Sequence, residues 1–355
     1  MRAEIYSAGD LDPAMRSSWL SFRSSQFATD NAFFSPDFVT AAARVIPETE
    51  VAIILDGQLP VGFWPMQRRG GLGLPVAARV TEITGPIVNP EAEWNPLEVA
   101  RQLGIKEWSF DCLPVATPGF APFHTQIRSF PFIDIAPDDV ECRILEQRTE
   151  SRQFSEWRRK QRKFEKEFGP LQFKWHDDDR THLATMISWK RRQYQQTGVH
   201  DLLGISWVPE LLEQILRGPT DDLSAVFSTL CHNDRLLAAH VGLRSGSTLC
   251  WWFTAYDSEL SRYSPGSILL LKVLETASER GIRRIDLGQG NERYKGSLAT
   301  GCYPVAEGIV TPNRWKRQFC HAWGRTRDWA ESASFCSSAL RWFRQARNRT
   351  MQRAR

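Results

Sequence analysis

Two windows of this chain recur at one spacing, and that limits the fold more than any compositional figure. VAIILDGQLPVGF (Val51–Phe63) and STLCHNDRLLAAH (Ser228–His240) lie 177 residues apart. Both read as strand, tight turn, strand, with Asp56-Gly57 and Asn233-Asp234 as the turn formers. At the same offset LEVARQLGIK (Leu97–Lys106) falls on LETASERGIR (Leu274–Arg283), identical at five of ten positions. Each copy reads as a helix stopped by a glycine, Gly104 or Gly281, and then a strand, because glycine accepts the left-handed backbone that ends a helix. A chain of 355 residues is too long for one average core and suits two such units.

In the second copy the spacing predicts strands at about Ala225–Cys231, Leu236–Arg244 and Leu249–Tyr256, a helix from about Ser267 to Arg280, and a strand over Ile282–Leu287. An antiparallel meander joined to a helical crossover is a mixed α/β (α+β) class. The expected organisation is one unit over 1–150, a second over 151–310, and a tail over 311–355.

Several classes are excluded. Apolar residues make up 42% and charged residues 24%, which is globular usage. No apolar run nears the roughly 20 residues of a spanning helix. MRAEIYSAGDLDPAMRSS has no apolar stretch, so no secretory signal is expected. The seven cysteines are scattered and form no CxxC pair, so neither a disulfide framework nor a structural zinc is expected, and reduced thiols in a cytoplasmic protein are. From Thr311 to Arg355 eleven Lys/Arg stand against Asp328 and Glu331, a net +9, so the first 310 residues carry −5 of the overall +4. A mildly acidic body with a basic tail is not a general nucleic-acid binder.

The two copies differ at one loop. SPGSILLLKVLETASERG (Ser264–Gly281) runs from Ser-Pro-Gly-Ser straight into a helix with no acid in its first turn, and Arg262 precedes it. Gly266 leaves room for a ligand at the backbone, and the free N–H groups of a helix start attract an anion. The matching GPIVNPEAEW (Gly85–Trp94) has Asn89 for Gly266 and is expected to put Glu91 and Glu93 in the first turn, where they repel phosphate. Ser264–Ser267 also fits an ordinary capped turn.

The stretch Ser264–Lys295, ending DLGQGNERYK, resembles the acyl-CoA-binding half of GNAT-type N-acyltransferases, and more narrowly the CelD-type proteins of cellulose and exopolysaccharide synthesis. RQYQQTGVHDLL (Arg192–Leu203), Leu236–Gly266 and YKGSL (Tyr294–Leu298) carry the same resemblance, which is strongest over about Arg152–Val310. Such proteins are similar to FemA, FemB and FemX in fusing two GNAT-like domains, in agreement with the repeat. The resemblance implies two tandem GNAT-like domains with a degenerate N-terminal copy. It implies acetyl-CoA or another acyl-CoA as co-substrate, bound at Arg262, Ser264, Pro265, Gly266 and Ser267, with no metal. It also implies a small-molecule or glycan-linked amine acceptor in polysaccharide or envelope assembly.

N-acyl transfer needs a base for the amine, donors to the thioester carbonyl and an acid for the leaving thiolate. Asp286 in RRIDLGQG is a candidate base or a salt-bridge partner of Arg284 or Arg293. Glu292, Tyr294 and Lys295 fit an acid–base cluster, with Tyr294 protonating the thiolate and Lys295 binding phosphate or a carbonyl, or a solvated charged turn. His240 is a candidate base or a hydrogen-bonded core histidine, and Asp257 a site carboxylate or a turn former. GQGN lacks the third glycine of a dinucleotide loop, and no GxSxG elbow occurs. Direct transfer is expected over a covalent intermediate, since no cysteine or serine has an evident activating base.

FSEWRRKQRKFEKEFG (Phe154–Gly169) puts Phe154, Trp157, Phe164 and Phe168 on one helical face among basic residues. That is a packed stripe under a solvated basic face, or a polyanion contact. SWKRRQYQQTG (Ser188–Gly198) reads as an acceptor-pocket helix or a surface. The tail from Asn313, with Trp315, Phe319 and Trp323 at spacing four, fits a peripheral contact with an anionic membrane or a polysaccharide synthase, a packed helix, or disorder past Arg344. The alternatives to an acyl-CoA enzyme are a FemX-like transferase using aminoacyl-tRNA and a non-catalytic accessory protein of a polysaccharide synthase.

Overall fold

The computed structural model describes residues 1–135, 152–290 and 293–320. The first half runs β1 (Arg2–Ser7), α1 (Pro13–Ser24), α2 (Pro36–Val45), β2 (Thr49–Asp56), β3 (Leu59–Arg69), β4 (Leu72–Leu74), β5 (Ile87–Val88), α3 (Pro96–Gln102), β6 (Glu107–Pro114) and β7 (His124–Asp134). The second runs α4 (Arg152–Phe168), β8 (Gln172–Lys174), α5 (Arg180–Thr197), α6 (Trp207–Leu216), β9 (Ser224–His232), β10 (Arg235–Ser245), β11 (Thr248–Tyr256), α7 (Pro265–Thr276), β12 (Arg284–Asp286), α8 (Arg293–Leu298) and β13 (Gly301–Val310). Among these residues no helix is long and apolar enough to cross a membrane.

The repeat reaches further than the windows that reveal it. β6 and β12 start 177 residues apart, and so do β7 and β13. Asp56-Gly57 and Asn233-Asp234 turn the hairpins, with Gly57 at φ +60° and Asn233 at +50°. Gly104 and Gly281 end their helices at φ +71° each, the left-handed value at which glycine carries no Cβ penalty. α7 stops at Thr276, and a single 3₁₀ turn over Ser278–Arg280 completes the expected helix.

All strands join one mixed sheet in the order β1-β2-β3-β4-β6-β13-β7-β12-β11-β10-β9-β8, with β5 on β3. The halves exchange their last strands: β13 pairs antiparallel with β6, β7 pairs antiparallel with β12, and β7 and β13 pair with each other at the centre. The units expected over 1–150 and 151–310 therefore share one hydrogen-bonded ladder.

Alternation along the strands divides the core by face. On β2, Val51, Ile53 and Leu55 meet the helices α1 and α2, while Ala52 and Ile54 face α3. The first face is common to both halves, since α5 and α6 contribute Leu183, Met186, Val208 and Leu211 to the same cluster. The opposite face has two cores. One is aromatic, with Trp64 and Trp108 edge-to-face at 5.0 Å under α3. The other packs Phe154 and Trp157 of α4 against Ile268–Leu271 of α7. Phe154, Trp157 and Phe164 are buried as the helical stripe predicts, and Phe168 is instead 45% exposed at the helix end.

Candidate active site

The site begins where two parallel strands part. β11 pairs with β12 only over Thr248–Cys250 and Arg284–Asp286. Beyond that, the chain follows β7, with the Leu287 N–H bonded to Pro131 O at 3.0 Å, while β11 runs on to Tyr256. A bulge on β11 marks the divergence: Val241 faces Phe253 and Leu243 faces Cys250, so Gly242 opposes both Trp251 and Trp252. The extra residue bends the strand and sends neighbouring side chains to opposite faces. Trp251 packs under α7, and Trp252 crosses to the other face, where its indole N–H donates to Val80 O at 2.7 Å.

On the α7 face the helix start lies beside the end of β11. Ser264 precedes it at φ +54°, ψ +55°, and its hydroxyl makes no cap to the helix. Instead it accepts from Lys160 Nζ of α4 at 2.8 Å. No acid stands in the first turn. Pro265 is buried, and Gly266 and Ser267 are partly exposed. A Cβ on Gly266 would sit 3.3 Å from Tyr256 Cδ1, so the glycine also admits that ring. Arg262 turns to Glu167 at 3.0 Å and stacks over Tyr263. In the first half, α3 starts only at Pro96, capped by Asn95. Glu91 and Glu93 precede the helix rather than forming its first turn, because Asn89 folds the chain into a turn of its own by accepting from Glu91 N–H at 3.1 Å. The acid in that first turn is Glu98.

The remaining candidates scatter. Asp286 is fully buried, 3.1 Å from Arg284 Nε, and accepts from Asn31 Nδ2 at 2.6 Å. Burial pushes its carboxyl up against the opposing pull of Arg284. His240 is fully buried, its ring stacked on Trp251 at 3.6 Å and its Nδ1 3.2 Å from Ser228 Oγ. Burial pushes it well below the ordinary histidine range, so it is neutral. Asp257 accepts from Glu259 N–H at 3.0 Å and pairs with Arg235 at 2.5 Å, the geometry of a turn former. Lys295 is 6% exposed and donates to Gln289 O at 2.8 Å. Glu292 and the Tyr294 side chain lie outside the described residues.

A carboxylate the sequence reading passes over stands at the parting of the strands. A Cβ on Gly288, which has φ +72°, would fall 2.5 Å from Glu82 Oε1 and 2.6 Å from its Cδ and Oε2. The Glu82 carboxylate thus occupies the space a side chain at 288 would take. Glu82 comes from the first half, on the loop that Trp252 anchors at Val80. Burial, with Asp201 and Glu82 nearby, pushes the Tyr194 phenol of α5 up. Glu82 and Gly288 are 206 residues apart in sequence, and no local motif links them.

Asp177, His182 and Cys231 hold ligand-type atoms within 4.8 Å of one another. His176 and His182 stand in a His-x₅-His spacing, a metal-ligand spacing that the expectation of no structural zinc left out of account. The Asp177 oxygens are already engaged by His182 Nδ1 at 2.7 Å, Thr229 Oγ1 at 2.8 Å, Lys174 Nζ at 3.2 Å and Asp179 N–H at 3.3 Å. Burial opposes the charge, yet these bonds hold the carboxyl at about 2. The arrangement is that of an ionic hydrogen-bond knot. Cys112, Cys231, Cys250, Cys302 and Cys320 are free thiols.

β11 and β12 thus part beyond Cys250 and Asp286, and α7 starts beside the far end of β11. Residues 151–296 match the family model described as an acetyltransferase (GNAT) domain, so this part of the chain carries a GNAT domain. Among solved structures, the chain is similar to FemX at 11% identity and TM-score 0.56, covering 90% of this chain and 99% of that one. It is similar to L-PGS from Bacillus licheniformis at 10% and 0.50, covering 87% and 95%. A tandem GNAT protein from the clavulanic acid biosynthesis pathway is similar at 12% and 0.50, covering 88% and 100%. At such identities the likeness is one of fold, and the fold is the tandem GNAT arrangement of both halves. No curated protein matches the sequence.

Proposed function

We infer that the protein is an acyl-CoA-dependent N-acyltransferase whose second half binds the donor and whose acceptor is an amine. One observation carries this reading: α7 opens beside the parted end of β11 with no acid in its first turn and with Lys160 at Ser264. A pyrophosphate at Gly266–Ser267 would meet the positive end of the helix and a lysine. The acyl group would then lie between β11 and Leu287–Gln289. In this reading Tyr294 protonates the leaving thiolate, and Lys295 fixes the Gln289 carbonyl at the site edge. The resemblance to CelD-type proteins supports an amine on a sugar or lipid-linked intermediate of polysaccharide or envelope assembly.

A FemX-like use of aminoacyl-tRNA is favoured by a different observation. α4 turns Arg159, Arg162, Lys163 and Lys166 to solvent in one stretch beside Lys160. Calorimetry with CoA and with aminoacyl-tRNA separates the two. Full-length protein should bind CoA, and Gly266→Glu should abolish binding while the circular dichroism stays native. Equal CoA binding by both chains removes the donor from this loop, and binding of tRNA without CoA selects the other donor.

A further inference from the structure

The geometry points to Glu82 as the base that takes the proton of the acceptor amine, an assignment that rests on the acyltransferase reading above. The first half, degenerate as a donor site, then supplies the acceptor side of the other half's reaction.

The argument begins with place. Gly288 is the second residue after β12, where the chain has left β11. The Glu82 carboxylate fills the space of the missing Cβ there. A side chain at 288 would displace the carboxylate from this position, and the glycine also carries the left-handed φ of +72°. Next comes rigidity, since a base must be held where the proton is. The Glu82 loop is pinned at Val80 O by Trp252, at Thr84 N–H by Cys112 O (2.9 Å), and internally by Thr81 Oγ1 on Val76 O (2.7 Å). It holds two non-glycine residues at positive φ, Ala77 at +49° and Arg79 at +83°. Such conformations persist only where surrounding contacts enforce them. Last, the sequence candidates for the base that the structure describes are engaged elsewhere. Asp286 is sealed and bound to Asn31 and Arg284, His240 is sealed under Trp251, and Asp257 is tied to Arg235.

In the step itself the neutral amine nitrogen attacks the thioester carbon. The C–N bond forms, the C–S bond breaks, and sulfur leaves with the electron pair. The proton lost by nitrogen passes to Glu82, and the thiolate gains one from Tyr294, which solvent reprotonates, so amide and free thiol balance amine and thioester.

The test measures thiol release from acetyl-CoA with glucosamine, lysine and spermidine as acceptors, across pH, for wild type, Glu82→Gln and Glu82→Asp, with thermal melting alongside. Glu82→Gln should lose about 10²-fold in kcat/KM at neutral pH. It should recover relative to wild type as pH rises toward the acceptor's own pKa, where no base is needed. Glu82→Asp should keep the acidic limb at reduced rate, and it decides the matter if the Gln variant melts early. A Glu82→Gln chain matching wild type at every pH, or a deficit that high pH leaves unchanged, overturns the assignment alone. A wild-type chain that binds no CoA, or that binds it and acylates none of these amines, overturns the parent reading and this one with it.

Discussion

The Asn31 amide donates to the Asp286 carboxylate across 2.6 Å, joining the first half of the chain to the last residue of β12. Arg284 lies 3.1 Å away, 6% exposed in its side chain, and the Tyr303 hydroxyl lies at 3.4 Å. The cluster is buried, so its members depend on one another. Removing one partner of a buried pair leaves the other's charge uncompensated, at about 3–5 kcal/mol. Asp286→Ala should lower the unfolding free energy by that amount in urea titration, and Asn31→Ala by about 1–3 kcal/mol. A loss of turnover with unchanged stability in Asp286→Ala would instead return Asp286 to the chemistry.

Asp177 sets an acid limb of stability. Its carboxyl is held at about 2 in the folded chain against an ordinary 3.8. A depressed carboxyl contributes stability that is present above the unfolded value and lost as pH falls through the folded one. The stability gap between wild type and Asp177→Asn should therefore be full above about pH 4 and close toward pH 2. A gap constant from pH 5 to pH 2 in denaturant titration would show that the hydrogen bonds, not the charge, are responsible.

The turns at 314–320 present an aromatic face. Lys316 pairs with Glu107 at 2.5 Å and Arg317 lies over the Phe123 ring, which fixes the segment to the body. Trp315 and Phe319, four residues apart, are left 82% and 69% exposed. We propose that this face and the nine excess positive charges of 311–355 meet anionic lipid, each basic residue contributing about 1 kcal/mol near the surface. Cosedimentation with phosphatidylglycerol vesicles at low salt should fall for Trp315→Ala/Phe319→Ala and for a chain cut after Thr311. Equal recovery of all three rejects the idea, and insolubility of the cut chain favours a packed helix. Trp323 and the stretch past Arg344 lie outside the described residues.

Much of the fold is legible locally. The hairpin at Asp56-Gly57 and the helix ends at Gly104 and Gly281 follow from backbone preferences of one or two residues, and the offset between copies follows from comparing them. The first turn of α3 was not legible, because Asn89 and Asn95 each make a local turn bond and only the fold decides which one caps the helix. Asp257 and His240 illustrate the same limit in the site. Each carries two readings in sequence, and only the contacts with Arg235 and Trp251 choose between them.

The sequence by itself determined what depends on neighbours along the chain: strand alternation, turn residues, helix stops, the acid-free start of α7 and the twofold repeat. The tertiary structure alone decided which distant segments meet. The exchange of β7 and β13 is invisible in sequence, because both strands pair antiparallel and either could satisfy either edge. Glu82 is equally silent: its proposed role depends on lying against Gly288, and the loop that carries it is held by a tryptophan from the bulged strand of the second half.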